Sequence, residues 1–357
     1  MSLETRLQKL RLELAKKGID AIFVSQPENR RYLCGFDGSA GYLLITAKRA
    51  VLATDFRYID QAKIQAPDYE ILKIEGNIAE WLPGFITDIN IQQMGFEARH
   101  ITFSAHRELM KGLKPSGIKL VPIYDMVESL RAVKEPEEIE FISRAVAMAD
   151  SALENIENIV QVGMTEREAA WEIERALREQ GSQPLPFEVI VASGPNSALP
   201  HAKPSTRTIK AGEPVVIDIG ARYKGYCSDA TRTICPSSPN KLFSKIYDTV
   251  LGAQLTALAI IKEGMTGEQI DSLAREVIDQ AGYGHAFGHS LGHGIGLEPH
   301  EMPRLGPKSR DLITSGMVFT IEPGIYLSGW GGVRIEDVVL IEKEKVRVIS
   351  AARKVIT

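Results

Sequence analysis

The residues with the clearest chemical potential are acids that stand within apolar strands of the second half of the chain. Asp218 lies inside an apolar run, and Asp229 follows it after a turn at Lys224 and Gly225. If those two residues form a hairpin loop, Gly220 faces Asp229, and the two aspartates become diagonal neighbours on one face. Diagonal side chains lie roughly 7 Å apart, which suits a pair of bridged ions. Acids near a turn are often merely solvated, but an unpaired carboxylate in an apolar strand is costly. The pair therefore predicts a cation site.

Two glutamates repeat this situation later in the chain. Glu322 ends the apolar run 317–321, and Glu336 lies two residues after Arg334 in a second apolar run. Arg334 and Glu336 therefore share one strand face, whereas Asp337 points to the other face and is assigned a structural role. Four carboxylates balance the charge of two divalent cations, which explains how such acids tolerate one another.

Four of the seven histidines cluster at His285, His289, His293 and His300. The segment 288–296 is too rich in glycine for a plain helix. His289, His293 and His300 beside two acid pairs favour a functional site, whereas His285 is assigned a structural role. One imidazole among oxygen ligands suits Mn²⁺ or Co²⁺ better than Ca²⁺, with Zn²⁺ as an alternative. His201 taken alone is typical of a surface residue that has no catalytic or binding role.

The elements that must position these side chains form an internal repeat. Gly163-Met164-Thr165 and an amphipathic helix ending at Gly181 return as Gly264-Met265-Thr266 and a helix ending at Gly282, an offset of 101 at both ends (264−163 and 282−181). Each helix is followed by two strands that carry acids. The pattern predicts a duplicated α-α-β-β domain, in which equivalent acidic strands meet at a pseudo-two-fold axis.

The first third of the chain alternates short strands with helices. Strands are predicted at 21–25, 41–46 and 50–53, and helices at 56–65, 78–88 and 103–113. We expect an α/β domain with a small mixed sheet over residues 1–126 and the duplicated catalytic domain over residues 127–357. Pro136, at the first turn of a long helix, marks the start of the second domain's regular structure.

Composition excludes several classes of function. The formal net charge of the 357 residues is −4 and there is no long basic run, which argues against a nucleic-acid partner. No apolar run is long enough to cross a membrane, and the first residues lack the apolar core of a secretory signal. The odd count of three cysteines, without Cys-x-x-Cys spacing, indicates reduced thiols in a cytoplasmic protein and no cysteine metal site.

With these motifs the chain resembles the metallopeptidases of the pita-bread fold, in their prolidase (Xaa-Pro dipeptidase) and aminopeptidase P branch. The resemblance covers nearly the whole length: an N-terminal α/β domain, a lead-in at 130–134, then an α+β catalytic domain. It implies two bound divalent ions, with Mn²⁺ favoured over Co²⁺ or Zn²⁺, and a homodimer. Its metal ligands fall on Asp218, Asp229, His293, Glu322 and Glu336, and its substrate-handling residues on His201, His289, His300 and Arg334.

The activity that follows from the resemblance is hydrolysis of the bond between an N-terminal residue and proline, in a dipeptide or an oligopeptide. A metal-bridging hydroxide would attack the carbonyl, Glu322 would shuttle the proton to the leaving nitrogen, and His201 and His300 would stabilise the oxyanion. His289 and Arg334 would position the substrate. One alternative is an enzyme like methionine aminopeptidase, against which the N-terminal domain argues. Others are a metal-free creatinase-like hydrolase and a non-catalytic binding module on the same fold, both of which would lack the complete ligand set.

Overall fold

The computed structural model describes residues 3–86, 90–343 and 345–354. The chain divides into two compact units, Met1–Arg131 and Ala132–Thr357, which we call the N-terminal and C-terminal units. The predicted domain boundary, after residue 126, falls slightly before this division, at the start of a short helix. Across the described ranges, none of the helices combines the length and the apolar character needed to span a membrane.

The N-terminal unit is built on a six-stranded mixed sheet with the strand order β4-β3-β2-β1-β5-β6. Strand β1 pairs antiparallel with β2 and parallel with β5. Its elements are α1 (Leu3–Lys16), β1 (Ala21–Val24), α2 (Pro27–Cys34), β2 (Tyr42–Thr46), β3 (Ala50–Thr54), α3 (Ile59–Gln65), β4 (Glu70–Lys73), α4 (Ile78–Ile86), β5 (Gln93–Glu97), α5 (Phe103–Leu113), β6 (Lys119–Ile123) and α6 (Met126–Ala132).

The expected mixed sheet and the three predicted strands of this unit are confirmed, with ends shifted by one residue. The helix predicted over 56–65 begins as a 3-10 turn, Phe56–Tyr58, before continuing as α3. The helix predicted over 103–113 is confirmed, and Thr102 caps it by accepting a hydrogen bond from the Ala105 amide. The helix predicted over 78–88 is present as α4, and its last two predicted positions lie outside the described residues.

The C-terminal unit contains two layered halves that repeat the same elements. The first half comprises α7 (Pro136–Glu154), α8 (Ile156–Ile159), α9 (Glu166–Glu179), β7 (Ile190–Ser193), β8 (Val215–Ile219), β9 (Arg222–Tyr223), β10 (Tyr226–Cys227) and β11 (Ala230–Ile234). The second half comprises α10 (Lys241–Ile260), α11 (Gly267–Gln280), β12 (Gly292–Gly294), β13 (Glu301–Leu305), β14 (Val318–Ile321), β15 (Gly324–Leu327), β16 (Gly331–Arg334), β17 (Asp337–Glu342) and β18 (Lys345–Val348).

The predicted duplication is confirmed at the level of helix caps. Thr165 and Thr266 each begin a 14-residue helix through a capping box, in which the threonine hydroxyl and the third helical residue exchange hydrogen bonds with the backbone. The two helices, α9 and α11, keep the offset of 101 seen in the sequence. After each one a glycine with positive φ, Gly181 at 95° and Gly282 at 87°, turns the chain back.

Each half of the C-terminal unit has a core of its own. In the first half, α7 and α9 cover the antiparallel sheet β11-β8-β7, and Ile173, Val191 and Ile217 are fully buried between them. In the second half, α10 and α11 cover the sheet β13-β12-β14-β17-β18 around Phe319 and Val339. Because Ile217 and Ile219 face the helices, Asp218 between them projects from the opposite face of β8.

Candidate metal centre

A tight hairpin fixes the first two acids. Strands β8 and β11 pair so that Ala230 lies opposite Ile219, and Tyr226 lies opposite Tyr223, which is the predicted register. Lys224 and Gly225 both have positive φ, 46° and 83°, as a two-residue type I′ loop requires. Continuing this register places Asp229 opposite Gly220. Asp218 and Asp229 therefore project from the same face of the hairpin.

The two glutamates lie where strands of the second half end. Glu322 directly follows β14, and Glu336 lies between β16 and β17. Thr231 of the first half accepts a hydrogen bond from the Glu336 amide at 3.0 Å, and its hydroxyl donates to Glu336 Oε2 at 2.7 Å. These two hydrogen bonds hold Glu336 against β11, the strand that pairs with β8, in which Asp218 lies. One oxygen each of Asp218, Asp229 and Glu336 lie within 4.8 Å of one another.

His293 reaches the acids from the middle of β12, where glycines flank it on both sides. A Cβ on Gly292 would lie 1.9 Å from the carbonyl oxygen of Thr320, and a Cβ on Gly294 would lie 2.0 Å from that of Met302. Only glycine therefore allows β12 to fit between its neighbours. This crowding explains why the segment around β12 is rich in glycine: the strand packs closely against its neighbours.

His293 connects the acid groups. Its Nε2 lies 3.2 Å from Glu322 Oε1 and 3.7 Å from Asp229 Oδ2. Its Nδ1 lies 3.2 Å from the Gly294 carbonyl oxygen, so this nitrogen carries the proton and donates. A histidine held by its Nδ1–H presents Nε2 as a ligand atom, which is the usual arrangement around metal ions.

The donor set fits divalent cations. Asp218 Oδ1 and Glu336 Oε1 are buried carboxylate oxygens that have no hydrogen-bond partner within the described part of the chain. Two further groups of potential ligand atoms overlap with the first: His293 with Glu322 and Glu336, and Asp229 with His293 and His300. Buried, unpaired carboxylate oxygens are costly, and two divalent cations would offset the four negative charges. The five predicted ligands are brought together by the fold.

The electrostatics of the centre show how the acids coexist in its metal-free form. Burial, followed by the charges of neighbouring carboxylates, raises the pKa of Asp229 and of Glu336 well above the ordinary range. Burial would also raise the pKa of Glu322, but the hydrogen bond and charge of His293 outweigh it and lower that pKa to about 2. Without bound metal, Asp229 and Glu336 therefore release their protons at a higher pH than ordinary carboxyl groups do, whereas Glu322 releases its proton at a lower pH.

Arg334 is held on all sides by the protein. Its Nη2 donates to Asp218 Oδ2 at 2.6 Å, and its Nε donates to Thr231 Oγ1 at 3.0 Å. Its Nη1 donates to the Pro200 carbonyl at 3.2 Å and to the Tyr326 hydroxyl at 2.8 Å. Since every nitrogen of the guanidinium group has an internal partner, Arg334 orients Asp218 and the segment that contains Pro200.

His289 is linked to the same arginine through Tyr326. The Nδ1 of His289 lies 2.8 Å from the Ser290 carbonyl oxygen and must donate to it, so in the neutral ring Nε2 accepts. Burial lowers the pKa of His289, which favours this neutral form. The Tyr326 hydroxyl, 3.0 Å from Nε2, therefore donates to His289 while accepting from Arg334. Both ring nitrogens of His289 are thus engaged within the protein.

His300 and His201 lie at the exposed side of the centre. The ring of His300 packs on that of His293, with centroids 4.0 Å apart, and the residue as a whole is exposed. Burial of the packed side and the charge of His293 lower the pKa of His300 to about 4. His201 is exposed and lies in the segment that follows Pro200, which Arg334 holds. His285, assigned a structural role, is exposed in a 3-10 turn.

Sequence reasoning missed three polar residues that support the centre. Tyr326 bridges His289 and Arg334, Thr231 bridges Arg334 and Glu336, and the Thr320 hydroxyl donates to Glu322 at 3.2 Å while accepting from the His293 amide at 3.1 Å. Thr231 lies directly opposite Asp218 in the hairpin, so its position was readable from the predicted register. Tyr326 required the pairing of β15 with β16, in which it is a diagonal neighbour of Arg334.

Comparisons with known proteins agree with this architecture. Residues 6–133 match the Creatinase/Prolidase N-terminal domain, and residues 140–343 match metallopeptidase family M24. An Xaa-Pro dipeptidase of Pyrococcus furiosus is 38% identical over 343 residues, covering 95% of each chain. Among solved structures, an Xaa-Pro dipeptidase from Bacillus anthracis shares 41% identity at a TM-score of 0.95, covering 99% of both chains. An X-Pro aminopeptidase from Thermotoga maritima shares 37% identity at a TM-score of 0.87, covering 95% of this chain and 97% of that one. The predicted family and fold are confirmed: the chain belongs to metallopeptidase family M24 and has its pita-bread fold.

Proposed function

We propose that this protein is a dinuclear-metal exopeptidase that hydrolyses the bond between an N-terminal residue and proline. The observation that carries the proposal is the convergence of four carboxylates and His293, with two buried carboxylate oxygens that have no hydrogen-bond partner in the described residues. The names of similar proteins, Xaa-Pro dipeptidase and X-Pro aminopeptidase, support the choice of substrate. The substrate is a proline-containing dipeptide or oligopeptide.

Asp218, Asp229, His293, Glu322 and Glu336 would hold two divalent ions. We propose Mn²⁺, because one imidazole among carboxylate oxygens suits it, with Co²⁺ or Zn²⁺ as alternatives. When bound, the ions supply hydroxide at neutral pH, since such a cation lowers the pKa of bound water from 15.7 to about 7.

The chain's own residues handle the protons and the developing charge. Glu322, partly buried and hydrogen-bonded by Thr320, accepts the proton of the attacking water and delivers it to the proline nitrogen. That nitrogen leaves as an amine rather than as a strongly basic amide anion, so it has to be protonated as its bond to the carbonyl carbon breaks. His300 and His201, at the exposed side of the centre, stabilise the oxyanion.

His289 and Arg334 position the peptide indirectly. Because their nitrogens are engaged within the protein, we assign the contact with the substrate to the surface that they hold in place: the Tyr326 hydroxyl and the segment 200–201. Their role is then to keep that surface fixed relative to Asp218.

The alternative enzyme and the binding module are less well supported. A relationship to methionine aminopeptidase does not account for the Creatinase/Prolidase N-terminal domain at residues 6–133. A creatinase-like hydrolase without metal, or a non-catalytic module, does not account for a complete set of five ligand residues.

The experiment that tests the proposed function compares four peptides on the Mn²⁺-loaded protein: an Xaa-Pro dipeptide, an Xaa-Pro-Yaa tripeptide and the same two sequences with alanine in place of proline. We expect hydrolysis of at least one proline peptide and a much lower kcat/KM for its alanine counterpart. The ratio of dipeptide to tripeptide assigns the protein as a dipeptidase or an aminopeptidase. Equal rates on the alanine peptides, or no hydrolysis with two metal equivalents bound, would overturn the proposal.

We also propose that the protein is a cytoplasmic homodimer. All three cysteines, Cys34, Cys227 and Cys235, are buried free thiols, which suits a reducing compartment. Size-exclusion chromatography with light scattering measures the oligomeric state, and a monomeric mass would contradict this assignment.

A further inference from the structure

Gln254 is a fully buried polar residue on an otherwise apolar helix face. It lies in α10, and its side chain has no exposed surface. The other inward-facing residues of this helix are aromatic or aliphatic: Phe243, Ile246, Tyr247, Val250, Ala253 and Ala257. A buried amide on such a face calls for a specific partner.

The partners are the backbone carbonyls that directly precede the two glutamates of the centre. Gln254 Nε2 donates to the Ile321 carbonyl at 3.1 Å and to the Ile335 carbonyl at 3.2 Å. Ile321 is the last residue of β14, and Ile335 lies in the break between β16 and β17. The side-chain amide of Gln254 therefore links two backbone positions, and each of these positions is one residue before a candidate metal ligand.

The position of the link in the sheet matters. Asp218 lies within β8, opposite Thr231, and Asp229 lies one residue before β11, in the register that the turn at Lys224 and Gly225 sets. Glu322 and Glu336 both lie one residue beyond the last pair of β14 with β17, in which Ile321 is opposite Asp337. Gln254 adds a side-chain link between the two segments at the point where this pairing ends.

Stability alone does not explain the amide. Gln254 Oε1 is buried and has no hydrogen-bond partner in the described parts of the structure. Two hydrogen bonds contribute about 0.5–1.5 kcal/mol each, whereas a buried unpaired oxygen costs about 1–3 kcal/mol. The two effects nearly cancel, so replacing the amide by an apolar side chain, which removes both the two hydrogen bonds and the unpaired oxygen, should change the net stability little.

We propose that Gln254 is a positioning residue that sets the separation between the carboxylates of Glu322 and Glu336 and thereby the affinity for the second metal ion. The proposal rests on the dinuclear centre of the proposed function. Residues that orient metal ligands from outside the coordination shell typically change metal affinity or activity by about 10–100-fold when they are replaced.

Gln254→Met tests the proposal, because it keeps the length of the side chain and removes both donor hydrogens. Tyr247→Phe is the matched control: it changes an inward-facing residue of the same helix whose hydroxyl has no hydrogen-bond partner in the residues described. Mn²⁺ binding is followed by calorimetry, and the coupling between two bound Mn²⁺ ions by electron paramagnetic resonance. Thermal unfolding of the metal-free proteins reports on folding.

We expect Gln254→Met to weaken the second Mn²⁺ equivalent about 10–100-fold and to reduce the signal of coupled ions, with the melting temperature of the metal-free protein close to that of the parent. On the proline peptide, kcat should fall while KM stays within about twofold. Tyr247→Phe should resemble the parent in metal binding and catalysis, with an equal or higher melting temperature because it removes a buried hydroxyl that has no hydrogen-bond partner in the described residues. If Gln254→Met does not fold, Gln254→Glu, which retains the shape and at most one donor hydrogen, should show the same loss.

The positioning role would be overturned by a folded Gln254 variant that binds both Mn²⁺ equivalents as tightly as the parent protein. Such a variant would also give the same electron paramagnetic resonance signal of coupled ions as the parent. A parent protein that binds fewer than two equivalents would instead overturn the proposed function. The two failures are therefore distinguishable by measuring the parent first.

Discussion

Replacing Tyr326 by phenylalanine removes one hydroxyl that links His289 to Arg334. Arg334 Nη1 would lose a partner at 2.8 Å and keep only the Pro200 carbonyl at 3.2 Å, and His289 Nε2 would lose a partner at 3.0 Å. A hydrogen bond to a charged group contributes about 1.5–3 kcal/mol and one between neutral groups about 0.5–1.5 kcal/mol. Roughly 2–4 kcal/mol of interaction therefore depends on this hydroxyl.

Part of that interaction energy should appear as lost stabilisation of the transition state, because Arg334 also orients Asp218. If about half is lost there, kcat/KM falls roughly 5–30-fold, at about 1.4 kcal/mol for each factor of ten. The melting temperature should fall by several degrees, since about 1 kcal/mol corresponds to roughly 2–4 °C in a domain of this size. Burial raises the pKa of Tyr326 to about 12, so the hydroxyl is neutral at working pH and the variant should keep the parental pH profile.

The assay is steady-state hydrolysis of the best proline peptide, with metal content measured for each protein. Tyr247→Phe is again the control, because the Tyr247 hydroxyl is buried without a hydrogen-bond partner among the described residues. Its removal should leave kcat/KM unchanged. A Tyr326→Phe protein with kcat/KM within about twofold of the parent would show that the hydroxyl does not hold the catalytic arrangement.

Three further predictions concern the proton shuttle, the removal of metal and the packing of β12. Glu322→Gln should keep the far-ultraviolet circular dichroism spectrum while kcat falls about 10²–10⁴-fold, and full activity at parental metal content would refute the shuttle. In metal-free protein, the pKa values of Asp229 and Glu336 are raised, so these groups bind protons more tightly in the folded state than in the unfolded chain. This difference stabilises the folded state below the ordinary carboxyl pKa, and the stabilisation is lost as the pH rises through the raised pKa values. The melting temperature should therefore fall with rising pH in the metal-free protein and much less in the Mn²⁺-loaded one, and parallel curves would contradict the assignment. Gly294→Ala should destabilise the protein severely in urea unfolding, because its Cβ would lie 2.0 Å from a neighbouring carbonyl oxygen, whereas Gly252→Ala, in open space on α10, should be neutral or stabilising. Equal stability of the two alanine variants would count against the packing argument.

Much of the centre was readable from the sequence because it depends on local rules. Lys224 and Gly225 specify a two-residue turn, and once that turn is placed the period of two along the strands puts Asp218 and Asp229 on one face. The capping threonines Thr165 and Thr266 mark the starts of equivalent helices, and their constant offset exposes the duplication. Each of these inferences needs only a few neighbouring residues.

The parts that escaped prediction depend on partners distant in the chain. Helical periodicity places Gln254 on the buried face of α10 but does not tell which carbonyls it meets, and these lie 67 and 81 positions away. The strand β5 was missed because Gly95 interrupts it, and that glycine is required because a Cβ there would lie 2.8 Å from the side chain of Ile123. Such requirements are set by packing between elements, which single-sequence patterns do not encode.

The contrast between the two halves predicts where the centre tolerates change. The aspartates depend on a hairpin whose ladder fixes them through many backbone hydrogen bonds, so no single side chain in that half decides their separation. The glutamates lie at strand ends, where Thr231, Thr320 and Gln254 take over the role of the ladder. The backbone amides of Glu322 and Glu336 donate to the Leu291 and Thr231 carbonyls, which fixes the backbone and leaves the direction of the carboxylates to these side chains. Conservative substitutions around the glutamates should therefore perturb metal binding more than those around the aspartates, although both pairs contribute equally to the charge that the ions balance.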